Sequence, residues 1–243
     1  MLTNKKLVKN IILIVLIAIM CGIIFFYQTK KIGFHEDEMY TIASSVNPEN
    51  GLMWAYDENS ELMWITKEYA KNYITLSNDN YLNLKSVYLN QAYDNHPPVF
   101  YTLVHFSSML FSGEFTKYNV FIVNIIAFIL SCVVIQKTLK LLDKEKLIIP
   151  TLIFYGLSMG TISMVIYQRM YMLLTFFILL YFYYSLKIYK NNFEMSKKDV
   201  IKLGLITILG FLTQYYFAMY AVFIFILMII QMIKMKKDKK IIA

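Results

Sequence analysis

Arginine is all but missing from this chain. Arg169 stands alone among 24 basic residues, the rest being lysine. Cysteine is nearly as scarce: Cys21 and Cys132 both fall within apolar runs, where they read as small core hydrophobes and say nothing about redox compartment. The most informative absence lies in six apolar stretches, 10–28, 118–136, 147–167, 171–186, 203–216 and 217–233, none of which contains Asp, Glu, Lys, Arg or His. Transporters, channels and pumps place ionisable groups near the bilayer midplane, so this absence argues against those classes.

What is present is apolar surface. The 243 residues are 58% hydrophobic and 16% aromatic, too greasy for a soluble domain of this size, so the expected class is an integral membrane protein. The first run follows Lys5, Lys6 and Lys9 as a secretory signal would. It is too long for one and lacks a small-x-small cleavage site, so it reads as a retained first transmembrane helix with a cytoplasmic N-terminus. Several later runs fall short of the roughly 20 residues an upright spanning helix needs, so their boundaries hold to within a few positions.

Lysine sets the expected orientation. The N-terminal tail, 137–146, 187–202 and 234–240 together hold 17 lysines against five acids, whereas the long loop 28–117 holds six lysines against eleven acids. The positive-inside tendency places the lysine-rich segments in the cytoplasm and the long loop outside. The net charge of +8 therefore reports topology, with no nucleic-acid partner expected. The expected fold is all-α: one polytopic membrane domain of about six transmembrane helices, with juxtamembrane helices in the long first loop. In that loop, 38–45 has helical spacing, 47–51 has turn composition, and 52–56 and 62–73, with Trp54, Trp64 and Tyr69, look like amphipathic segments at the interface.

Three signals fall on the same expected side. The first is His35-Glu36-Asp37-Glu38-Met39-Tyr40-Thr41, three consecutive acids just past the first apolar run; charge at a bilayer boundary marks either a functional site or a solvated acidic turn. The second is Asp94-Asn95-His96-Pro97-Pro98 leading the apolar segment 99–111, which is too short to span and carries His105, so a shallow or re-entrant helix is expected. Pro98 suits a first helical position and Pro97 keeps His96 extended. A plain helix start accounts for this pattern as well as a site role for Asp94 and His96 does. The third is Gln168-Arg169-Met170-Tyr171 at the junction of two runs, with a guanidinium shaped to hold two phosphate oxygens, of a bound lipid substrate or of ordinary headgroups. A further cluster, Gln214-Tyr215-Tyr216, reads as membrane-belt tyrosine.

A phosphate-holding cation beside a carboxylate base suits group transfer from a phosphate-linked donor. The order Asp-Glu after the first helix, His-Pro-Pro leading a loop helix and Arg-x-Tyr at an outer turn resembles the C-type glycosyltransferases, in particular bacterial relatives of protein O-mannosyltransferases and of the lipid A aminoarabinose transferase. The resemblance covers this chain and about the N-terminal half of a typical member. It implies inverting transfer of a sugar from a polyprenyl-phosphate donor to an extracytoplasmic glycan, lipid or protein. By motif, Asp37 is the implied general base and Glu38 a residue holding acceptor or donor sugar. Asp94, His96, His35 and Tyr171 shape the pocket, and Arg169 faces the donor phosphate. The relatives work without a cofactor, and a metal held by Asp37, Glu38 and Asp94 is not favoured, because adjacent carboxylates on one turn point apart. The chain departs from the family in lacking an arginine at the start of the second span, where only Lys117 is near, and in its length. The alternative is a non-catalytic membrane subunit binding a polyprenyl phosphate or a partner enzyme.

Overall fold

The computed structural model describes residues 2–48 and 66–242, with side chains described over 7–48 and 66–235. The segment 52–56, with Trp54, and the first part of 62–73, with Trp64, lie outside the described residues. Among those described, every regular element is helical. In chain order they are α1 (Leu2–Lys30), α2 (Glu36–Val46), α3 (Lys67–Tyr73), α4 (Leu84–Ala92), α5 (Pro98–Ser108), α6 (Asn119–Leu141), α7 (Ile148–Leu157), α8 (Met159–Ile166), α9 (Tyr171–Lys190), α10 (Lys197–Phe211) and α11 (Phe217–Ile242).

Among the described residues, four helices have stretches long and apolar enough to cross a membrane: Leu7–Lys30, Asn119–Leu141, Tyr171–Lys190 and Phe217–Met235. A fifth candidate is a bent pair, Glu145–Leu157 and Met159–Ile166, which meet at 55°. The count is therefore four or five where the sequence suggests six. The difference has two sources. The run 147–167 is broken at Ser158, whose backbone is extended and whose hydroxyl accepts from the Thr161 amide, capping α8 as a new helix. The run 203–216 is not a single helix, because α10 ends at Phe211 and residues 212–216 form a turn. Only part of that run is helical, and α10 itself begins earlier, at a capping box between Ser196 and Asp199.

Close packing fixes the bundle. Gly156 of α7 lies where an added Cβ would displace the end of the Met20 side chain of α1, so the two helices approach closely here. Beside it, Phe128 of α6 stacks on Tyr155 at 5.9 Å between centroids. Three of the four lysine-rich segments gather at one end of the bundle through exposed ion pairs: Lys9 with Glu145 at 2.5 Å, Lys190 with Asp143 at 3.0 Å and Lys187 with Asp199 at 3.4 Å. Pairs this exposed stabilise little; they show instead which loops share an end.

At the other end, α2 to α5 form a small helical lobe. α5 starts on Pro97 and Pro98, neither of which has an amide hydrogen, so Val99 is the first donor of this stretch, and it bonds to Leu212 O at 3.0 Å, beyond α10. The lobe has a polar core. His105 of α5 is fully buried, with Nδ1 2.7 Å from Ser45 O and Nε2 3.1 Å from Tyr81 O, joining α5 to the end of α2 and to the 77–83 turn. Asn90 Nδ2 reaches Asn47 O at 3.0 Å and Asn80 Nδ2 reaches Val46 O at 2.5 Å, so the C-terminus of α2 is held by side chains from α4 and its approach.

His105→Phe keeps the ring volume and removes the ring nitrogens beside Ser45 O and Tyr81 O, leaving the buried Ser45 carbonyl without its side-chain neighbour at a cost of about 1–3 kcal/mol. The expected result is a lower unfolding temperature with α2 and α5 opening first, read by hydrogen exchange.

Candidate functional site

The acidic stretch is a helix start. His35 caps α2: its Nδ1 accepts from the Asp37 amide at 3.2 Å, and Glu38 Oε2 accepts from the His35 amide at 2.7 Å. Three acids in the first turn also face the positive end of the helix dipole. Successive residues on a helix point about 100° apart, so Asp37 and Glu38 part company at once.

Glu38 turns inward and is 1% exposed. Its carboxylate takes Lys31 Nζ at 2.8 and 3.0 Å, the His35 amide, and the Gln168 amide at 2.7 Å. Every lone-pair direction is spent inside the protein. Glu38 therefore anchors the turn that carries Arg169, and it does not reach the cleft described below.

Asp37 turns outward, with its side chain 47% exposed. Its carboxylate accepts from the Tyr167 hydroxyl at 3.3 Å and lies 3.8 Å from His35 Nδ1. Tyr167 is a site residue the motifs did not suggest; nothing in its local sequence separates it from the other 19 tyrosines. Its phenol is pushed above its ordinary value, first by burial and then by the charge of Asp37. Tyr171 lies one turn away and stacks parallel to Tyr167 at 6.2 Å, behind the cleft wall and not in it.

Arg169 is 5% exposed and reaches across to α2 and to the loop before α5. Its Nη1 donates to Asp37 O at 3.1 Å and to Thr41 Oγ1 at 2.9 Å, and Nη2 lies 2.9 Å from His96 Nε2. A guanidinium only donates, so His96 Nε2 is the acceptor and its proton sits on Nδ1, 2.9 Å from Asp94 Oδ2. The chain Asp94, His96, Arg169 thus has one defined proton arrangement. Burial works against ionisation of Asp94, but the hydrogen bonds from His96 and the Asn95 amide and the neighbouring positive charge outweigh it, holding the carboxyl below the ordinary range. The buried Tyr101 phenol, beside Thr41 and Arg169, is driven well above its usual range chiefly by burial. Arg169 Nε is buried without a hydrogen-bond partner.

The residues converge on an open cleft of about 430 Å³ lined by Asp37, Tyr40, Tyr93, Asp94, Asn95, His96 and Arg169. Of the residues suggested by sequence, Asp37, Asp94, His96 and Arg169 meet there, His35 caps the helix at its edge, and Glu38 and Tyr171 lie outside the lining. Lys117, the cation nearest to the start of α6, is occupied elsewhere: its Nζ donates to Thr29 O and Lys31 O at 2.8 and 2.9 Å, capping α1. Among the described residues no group of three or more His, Cys, Asp or Glu is placed to hold a metal ion.

Two expected outcomes check this geometry. Glu38→Ala removes one partner of a buried ion pair and leaves Lys31 uncompensated, a loss of about 3–5 kcal/mol, read as a fall in thermal stability. The stabilisation supplied by Asp94 is fully present above the ordinary carboxylate value of 3.8 and is lost as pH falls through its lowered folded value. Acid should therefore release the His96 loop only at strongly acidic pH, and Asp94→Asn should make the loop's exchange protection, relative to the intrinsic amide rate, insensitive to pH in that window. Comparison with protein families, with curated proteins and with solved structures finds no match for this chain.

Proposed function

We propose that the chain is a membrane glycosyltransferase module that moves a sugar from a polyprenyl-phosphate donor to an acceptor hydroxyl. The reading combines the resemblance carried by the three motifs with one observation. Residues from α2, from the loop before α5 and from the turn before α9 bring a solvent-open carboxylate, Asp37, to the same cleft as the chain's single guanidinium. The module sits in the cell membrane, multi-pass, with a cytoplasmic N-terminus and the cleft facing the extracytoplasmic side, opposite the lysine-rich end.

In the proposed step Asp37 accepts the proton of the acceptor hydroxyl as that oxygen bonds to the anomeric carbon. The bond from that carbon to the phosphate oxygen breaks on the opposite face, with inversion, and the leaving phosphate takes the electron pair. Arg169, whose guanidinium lines the cleft, balances that charge. His96 and Asp94 hold the guanidinium in place, and Tyr167 orients Asp37. Glu38 acts through Lys31 and Gln168, as a positioning residue. No cofactor is required; the lipid-linked sugar is a substrate.

A second reading has its own observation. Most of the Arg169 fork is already engaged by Thr41, Asp37 O and His96, which suits a structural arginine in a non-catalytic subunit that binds a polyprenyl phosphate or a partner enzyme. Proteoliposomes supplied with a polyprenyl-phosphate sugar separate the two. Asp37→Asn should lower transfer by about 10²–10⁴-fold while leaving membrane insertion and lipid binding intact. Transfer at the wild-type rate by Asp37→Asn would sink the catalytic reading, and loss of lipid binding in Arg169→Ala alone would favour the subunit.

A further inference from the structure

A second cleft lies at the same end of the molecule, on the opposite side of α2. Its volume is about 570 Å³, and Met39, Lys67, Ala70, Lys71, Ile74, Glu114 and Phe115 line it. Met39 follows Glu38 and faces away from Asp37 and Tyr40, so α2 is the wall between the two clefts. Lys67 and Lys71 are one turn apart on α3 and present their amines from one face. Neither has an ion-pair partner among the described residues, and Glu114 is the single acid in the lining. The site therefore carries an excess of one positive charge over an apolar floor.

Two further facts narrow the ligand. Of the six lysines in the segment 28–117, Lys31 is taken by Glu38, Lys117 by the carbonyls ending α1, Lys30 lies over the Phe26 ring, and Lys85 sits on α4 outside this lining. Lys67 and Lys71 are thus the paired amines of this end left to meet a ligand. The cleft also sits at the level where two candidate membrane spans end. Glu114 and Phe115 precede the start of α6 by a few residues, and Phe115 packs edge-on against Phe34, just past α1, at 5.6 Å. An anionic group at that depth, with hydrocarbon beside Met39, Ile74 and Phe115, is a lipid phosphate.

We infer that the cleft between α2, α3 and the 114–115 turn binds the phosphate headgroup of an anionic membrane lipid, with Lys67 and Lys71 pairing the phosphate and Met39, Ile74 and Phe115 contacting the adjoining chain. The inference stands apart from the sugar-transfer reading, because its cleft, its cations and its readout are different. Phosphatidylcholine, whose own cation neutralises its phosphate, suits the two amines poorly. A phosphate without acyl chains gains nothing from the floor.

Native mass spectrometry of the full chain in a neutral detergent tests this, by titration with phosphatidylglycerol, phosphatidylcholine and glycerol phosphate. The expected result is selective retention of phosphatidylglycerol. Lys67→Gln/Lys71→Gln should weaken it about 30-fold, from roughly 1 kcal/mol per lysine near a charged lipid surface. Lys144→Gln/Lys146→Gln, at the other end, should leave it unchanged, and circular dichroism should show all three proteins equally helical. The inference is overturned by equal retention of the two lipids, by glycerol phosphate binding as tightly as phosphatidylglycerol, or by the two double variants weakening retention alike.

Discussion

Everything at the cleft end of the molecule depends on one buried carboxylate. Glu38 accepts from Lys31, from the His35 amide and from the Gln168 amide at once, so the end of the first long helix, the start of α2 and the turn before α9 meet at two oxygen atoms. The cost of burying that charge is offset only because every donor is in place. Lys117 reinforces the same junction from above α6, its amine on the carbonyls of α1 and its own carbonyl taken by Gln28 and Gln168. With the turn so fixed, Arg169 has a defined path to Thr41 and His96, and Asp37 is left facing water.

The two adjacent acids show how environment divides labour between like residues. Asp37 and Glu38 differ by one methylene and one position. Helical geometry sends one to solvent and the other into an ion pair, and their chemistry diverges accordingly. The same division separates Arg169 from the lysines around it. Its planar fork spreads three contacts over two nitrogens in a fixed plane, whereas Lys31 and Lys117 each neutralise or cap at a point.

The candidate membrane helices were legible because apolar length is a local property: α1, α6, α9 and α11 each contain a continuous apolar run free of charge. The break at Ser158 was not, since a serine within an apolar run reads equally as a helix residue bonded to its own backbone or as a cap. The turn after Phe211 was hidden for a similar reason, because 212–216 stays apolar and aromatic while its backbone leaves the helix. At the candidate site, the residue types that carry charge were found from sequence, and Asp37, Asp94, His96 and Arg169 do converge. Which way each one points was beyond sequence reading. Glu38 faces inward because a lysine seven residues earlier and an amide 130 residues later both need it, and Tyr167 joins the site through a contact no spacing announces.

The bond from the Val99 amide to Leu212 O has a mechanical meaning. Two prolines in succession leave the start of α5 without donors, and the first amide available is fastened to another helix's last turn. The strand of chain bearing Asp94 and His96 is thereby tethered to the hairpin of α10 and α11, whose latter helix has little of its surface covered by the rest of the protein. A sideways push on that hairpin would be transmitted through a single backbone linkage to the wall of the cleft.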